Sequence, residues 1–313
     1  MRPTIRARLA VVAATMAATL ATGLYKASHE YGKTGSDFGY LWYAARVLWH
    51  GCDPYAAVHR GVWYFDNGFM YPLGAAVLVL PSITVPSYVA AVLFSALSMG
   101  ALAWALTRDS WDRWPLLMSW PCLMAVGAGQ WSPLVTTAAL LPAFGFAASC
   151  KPTLGLAAFA YRPSWRFIAS GLVLPLLAFA FMPDWPLRWI EATRHATENN
   201  YHIPLLQTGG FLLPLALVKW RRPEARLLFV MSLVPQTMLV YDQLALGLIA
   251  KGRIQTYWFA LLSYLIPWSA AFMWFAPVNP TKGESFRFLA HVITVGFYLP
   301  CLVIVLRRPN EAD

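Results

Sequence analysis

Asp37, Gln130, Lys151 and the neighbouring pair Tyr241–Asp242 are polar residues set in or beside apolar runs, where ionisable groups are costly and tend to be functional. A carboxylate such as Asp37 can take the proton of a hydroxyl nucleophile. An ammonium such as Lys151 can hold a phosphate and stabilise charge developing on a leaving group. Gln130 can hydrogen-bond a sugar or a phosphate, and Tyr241 with Asp242 can orient a substrate hydroxyl. Each has a plainer alternative: Asp37 as a helix N-cap, Lys151 reaching to the membrane interface, Gln130 capping a helix end, Asp242 solvated at a helix junction. The segment 183–205 adds Arg188, Arg194, His195 and His202 among tryptophans. It reads either as an aromatic belt at the membrane surface or as a flap that brings Arg194 or His195 near a phosphate.

The elements that must position these residues are set by composition. The 313 residues are 58% hydrophobic and 12% charged, against about 25% charged in globular proteins. That excludes a single soluble domain, a disordered chain and a disulfide-stapled secreted module, and leaves an all-α polytopic membrane protein. The net charge of +10 falls in short clusters between apolar runs, as topology determinants do. It forms no basic stripe with interleaved aromatics, so nucleic acid is not an expected partner. Cys52, Cys122, Cys150 and Cys301 have no metal-ligand spacing and read as free thiols. His29, His50 and His59 likewise lack ligand spacing. No Walker A, GxGxxG, HExxH or DxD sequence is present, so no cofactor and no common metal or nucleotide site is expected.

The N-terminus, with Arg2, Arg6 and Arg8 before an apolar run to Tyr25, reads as an uncleaved anchor, a signal peptide being the alternative. Further spans are expected at 86–106, 115–128, 131–141, 143–150, 152–161, 167–182, 206–219, 227–241, 243–250, 256–276 and 287–306. The total is about 12 transmembrane helices in one integral-membrane domain, 1–313. Several are shorter than the usual seventeen residues and must be tilted, broken or packed against protein. Fifteen of the 24 basic residues then fall on one side, which the positive-inside rule makes cytoplasmic, with both termini there.

That topology puts 26–69, Gln130, Lys151, 183–205 and Asp242 together on the outer face, around one outward-facing cavity. Residues 26–69 are too polar to span and too aromatic for a plain linker. Within them Phe38, Leu41, Trp42, Ala45, Leu48 and Trp49 recur at helical spacing, with Ser36 or Asp37 to cap the helix and Gly51 to end it. An amphipathic helix in an outer loop follows. Residues 70–82, apolar but short and bounded by proline, read as a re-entrant or surface segment.

The stretch SDFGYLWYAARVLWHGCDPY at 36–55 resembles the first-loop signature of glycosyltransferase family 87: Asp-Phe, an aromatic-Ala-Ala run, then Gly-x-x-Pro-Tyr. FMYPLGAAVLVLP at 69–81 is similar to the family's Phe-x-Tyr-Pro-Pro-Leu segment, GQWSPL at 129–134 to its Gly-Gln-x-Asn step, CKPT at 150–153 to its Lys-Pro, and YDQLAL at 241–246 to its late Tyr-Asp. The order is the family's across most of the chain. Two positions depart from it: Gly74 stands at the second proline and Ser132 at the asparagine. The resemblance implies a GT-C fold and transfer of a hexose, foremost mannose, from a polyprenyl-phosphate sugar to a glycolipid or polysaccharide acceptor. It assigns the catalytic aspartate to Asp37, within an outer catalytic loop, 26–69.

The expectation is therefore an inverting glycosyltransferase in the plasma (inner) membrane with its active site outward. Asp37 is its base, Lys151 its phosphate anchor, and Gln130, Tyr241, Asp242, Arg194 and His195 its substrate contacts. A lipid phosphate is a fair leaving group, so this chemistry calls for no metal. Two other classes fit the same features. A flippase for lipid-linked sugars would need an opening to the inside as well, and a silent partner subunit would bind the donor without turnover.

Overall fold

The computed structural model describes residues 3–29, 36–57, 68–196, 201–237, 239–274 and 282–309. Among these residues the chain is mostly helical, with one two-stranded pair. In order come α1 (Ile5–His29), α2 (Ser36–Trp49), the single turn α3 (Pro54–Ala57), α4 (Leu73–Val79) with a 3₁₀ continuation to Thr84, and α5 (Ser87–Leu106). The short helices α6 (Trp120–Ala128), α7 (Ser132–Leu140), α8 (Gly145–Cys150) and α9 (Pro152–Tyr161) follow, then α10 (Trp165–Phe181) and α11 (Trp185–Ala196). The last third holds β1 (Tyr201–His202), a 3₁₀ helix Gly210–Lys219, α12 (Pro223–Leu233), β2 (Gln236–Thr237) and a 3₁₀ helix Tyr241–Ile249. It closes with α13 (Gly252–Leu262), α14 (Leu265–Trp274), α15 (Lys282–Ile293) and α16 (Leu299–Arg307), the last two joined by a π turn.

Among the described residues, three helical stretches are long and apolar enough to cross a membrane: Ile5–Ser28, Ser87–Leu106 and Arg287–Arg307. The pair α10–α11, bent by 102°, makes a fourth if it counts as one broken span. The two N-terminal spans differ in surroundings: 11% of the first is buried inside the protein against 67% of the second. α1 is thus a peripheral helix leaning on the central α5. Small residues set that contact, since a Cβ at Gly100 would lie 2.7 Å from Met16 Sδ, a close approach of the kind that drives helix pairing in lipid. Arg8 pins the charged end of α1, donating to the Trp104 carbonyl at 2.9 Å and stacking 3.6 Å above that indole.

Other apolar stretches are broken. The sequence stretches 131–141, 143–150 and 152–161 are three separate helices of nine, six and ten residues. At about 1.5 Å per residue each covers half or less of a ~30 Å hydrocarbon core. Proline marks the breaks: Pro152 opens α9, where a missing N–H costs nothing, and Pro142 follows Leu141, whose extended backbone ends α7. The stretch 227–241 ends its helix at Leu233, and 256–276 breaks between α13 and α14. Interrupted backbone at membrane depth is tolerated where protein surrounds it, and α7 is buried along nearly its whole length.

The first loop is more deeply packed than an interfacial helix. Phe38, Leu41, Ala45 and Leu48 are buried as their spacing predicts, against α4 and α5. Trp49, expected on the same face, is exposed: it lies one residue beyond the buried stripe. α2 ends as expected at Gly51, whose φ of 71° allows the Cys52 N–H to bond the Val47 carbonyl and the Gly51 N–H the Leu48 carbonyl, a Schellman closure. The segment 70–82 is an interior helix, with Leu73, Ala75, Ala76 and Val79 buried. Gly74 faces α10 so closely that a Cβ there would lie 3.1 Å from the Leu174 carbonyl carbon.

Candidate active site

Five of the seven residues singled out by chemistry meet at one point. Each stands at the end or start of an element. Asp37 is in the first turn of α2. Gln130 lies between α6 and α7, and Lys151 between α8 and α9. Tyr241 and Asp242 open the 3₁₀ helix after β2. Local backbone chemistry puts them there. Gly129 takes the left-handed conformation, φ 69°, and lets the Gln130 N–H close α6 onto the Ala125 carbonyl at 2.8 Å. That reversal aims the Gln130 side chain inward. Lys151 precedes Pro152, which keeps it out of the helical region, at φ −136°, ψ 76°. Val240, directly before the Tyr–Asp pair, has φ 57° and is the only described non-glycine residue with positive φ. A β-branched residue in that region is strained, and such strain gathers at functional sites.

The side chains form one hydrogen-bonded chain. Lys151 Nζ lies 2.6 Å from Asp242 Oδ1 and donates to Gln130 Oε1 at 3.2 Å. The Gln130 amide nitrogen donates to the Asp37 carboxylate and lies 3.3 Å from both the Tyr71 and Tyr241 hydroxyls. The Tyr241 hydroxyl donates to Asp37 Oδ2 at 3.2 Å. Asp242 Oδ2 accepts the backbone N–H of Thr237 at 3.0 Å, and the Lys151 ammonium sits 4.7 Å from the centre of the Tyr241 ring.

Burial grades along this chain. Asp242 is 2% exposed and Gln130 3%, whereas Asp37 is half-buried. The plainer alternatives fail for two residues: Asp242 is not solvated, and Lys151 is paired inside the protein, with a side chain 12% exposed. Gln130 closes the end of α6 through its backbone, while its side chain is committed to Asp37 and Lys151.

Electrostatically the five residues carry two carboxylates and one ammonium. The close Lys151–Asp242 contact offsets one pair, so the excess negative charge sits on Asp37. Gln130 and Tyr241 are neutral donors to it, and they orient the carboxylate as suits a proton acceptor. Lys151 has three protons, of which two point to Asp242 and Gln130.

Arg194 and His195 are placed differently. Arg194 is exposed on α11. His195 belongs to the same helix, but its side chain lies outside the described residues. The tryptophans of this segment pack on protein rather than forming a surface belt: Trp185 is buried, and the Trp189 indole donates to the Met70 carbonyl at 3.0 Å. Arg188 bridges Asp53 and Asp184, at 2.6 Å each. The two segments assigned to the outer face, 26–69 and 183–205, are therefore in direct contact.

Sequence reasoning missed Tyr71 and the Thr237 amide. Tyr71 had a signal, as it lies inside the Tyr-Pro segment, and the turn after β2 brings its amide to Asp242 through backbone geometry that no side chain advertises. Among the described residues no group of three His, Cys, Asp or Glu side chains is arranged to hold a metal. Compared with protein families, curated proteins and solved structures, the chain matches none.

Proposed function

We propose that this protein is an integral-membrane glycosyltransferase that moves a hexose, mannose foremost, from a polyprenyl-phosphate donor to a glycolipid or polysaccharide acceptor. The observation that carries the reading is the half-buried Asp37 carboxylate, held by two neutral donors and adjoining a buried Lys151–Asp242 pair. Asp37 takes the proton of the acceptor hydroxyl as that oxygen attacks the anomeric carbon. The bond from that carbon to the lipid phosphate breaks on the opposite side, so configuration inverts. Lys151 turns its remaining proton to the departing phosphate and stabilises the growing charge. Asp242 fixes the ammonium in place, and Gln130 couples it to the base.

On this reading the chain has a GT-C-type architecture, with about 12 membrane crossings built partly from the half-length helices α6 to α9. The family-87-like motifs then have a common purpose, since four of their residues, Asp37, Gln130, Lys151 and Asp242, lie in one bonded chain. The membrane is the plasma (inner) membrane, with both termini cytoplasmic and the site outward.

The test is Asp37→Asn assayed in membranes with labelled polyprenyl-phosphate mannose. A general base contributes about 10²–10⁴-fold, and transfer should fall by that much with protein level and melting unchanged. Near wild-type transfer by the variant would remove Asp37 from the reaction.

A further inference from the structure

We propose that His202 is a sugar-binding residue of this same site, holding hydroxyl groups of the donor's hexose beside Asp242. The inference deepens the glycosyl-transfer reading and rests on it. β1 pairs with β2 so that His202 faces Gln236 and Tyr201 faces Thr237. Thr237 gives its N–H to Asp242, and Asp242 is close enough to act electrostatically on the His202 ring. The strand pair thus carries His202 to the Lys151–Asp242 end of the chain.

Its condition there is unusual. His202 is 4% exposed, and neither ring nitrogen makes a hydrogen bond of good geometry among the described residues, the Gln236 backbone lying near enough only to raise its pKa. A buried polar group left unpaired costs about 1–3 kcal/mol, and a ligand that bonds it recovers that cost. Gln243 supplies a second such atom. Its amide nitrogen bonds Oε1 of Gln236, the strand partner of His202, at 2.8 Å, while its own Oε1 is buried and unpartnered. Burial pushes the His202 pKa down to about 4, outweighing the Asp242 charge and the Gln236 backbone, which raise it. The ring is therefore neutral at physiological pH and offers one N–H donor and one nitrogen acceptor. Sugar hydroxyls donate and accept at once, and they match that pair better than a phosphate does, which only accepts. The donor sugar is the fitting occupant because Lys151, bonded to Asp242, is the phosphate-side cation, while the acceptor belongs at Asp37.

The experiment measures equilibrium binding of polyprenyl-phosphate mannose and of bare polyprenyl phosphate to the purified full chain, as wild type, His202→Phe and His202→Asn. The expected result is that His202→Phe binds the mannosyl lipid at least tenfold more weakly and the bare lipid unchanged. His202→Asn, which keeps a donor and an acceptor, should fall between. Equal loss of both lipids, or no loss of either, in a background where wild type prefers the mannosyl lipid, overturns the role of His202 alone. If wild type does not distinguish the two lipids, the glycosyl-transfer reading fails and this inference with it.

Discussion

Lys151 Nζ donates to Gln130 Oε1 at 3.2 Å, and this contact fixes which way the amide faces. An ammonium only donates, so the oxygen of Gln130 must turn to Lys151 and its NH₂ to Asp37. The cation thereby orients a neutral donor against the proposed base across a residue that carries no charge itself.

Gln130→Glu tests that coupling. The new carboxylate can still meet Lys151 but faces Asp37 with like charge, and two adjacent carboxylates cannot both ionise easily. One of them therefore keeps its proton to higher pH. Transfer should fall about tenfold or more at neutral pH and recover as pH rises, the acidic limb of the rate profile moving upward. A profile that keeps its position while the rate drops would break the link from Gln130 to the base.

The Lys151–Asp242 pair separates stability from chemistry. Lys151→Met leaves a buried carboxylate without its counter-charge, which costs about 3–5 kcal/mol. Lys151→Met with Asp242→Asn removes both charges and keeps an acceptor for the Thr237 N–H, so most of that stability should return. Transfer should stay lost in both, read by thermal melting alongside turnover. Recovery of turnover in the double variant would make the pair structural only.

Gly129 and Gly51 form a matched comparison, since both close a helix with positive φ, 69° and 71°. An alanine at either position carries roughly 1–2 kcal/mol of backbone cost, and at Gly51 a Cβ meets nothing within 4 Å. Both substitutions should lower melting, that at the buried Gly129 by at least as much as that at the exposed Gly51. Only Gly129→Ala should also cut transfer, because the next residue is Gln130. Equal activity in the two variants would show that the turn at Gly129 does not set the site.

The site was more legible in the sequence than the fold. Asp37, Gln130, Lys151 and Asp242 stand out because a polar side chain amid apolar residues needs a reason, and the structure supplies one in their mutual bonds. The helix breaks were harder to place. An apolar stretch such as 131–141 reads alike whether it crosses lipid or stops after nine residues inside protein, because periodicity is lost when every face is buried. His202 was hidden for another reason. It sits with other polar and aromatic residues in 183–205, and only the pairing of Tyr201–His202 with Gln236–Thr237, distant in sequence, carries it to Asp242.

Orientation is open to a direct test through the cysteines, because Cys52 is exposed while Cys122, Cys150 and Cys301 are buried. Cys52 lies in the segment held to 183–205 by the Arg188–Asp53 ion pair, on the proposed outer face. Asp109, whose side chain is 93% exposed, lies in the basic loop assigned to the cytoplasm. A membrane-impermeant maleimide should therefore label Cys52 in intact cells. Asp109→Cys in a Cys52→Ser background should label only after permeabilisation. Labelling of both from the same side would overturn the charge-based topology and move the Asp37 site away from any donor presented on the outer leaflet.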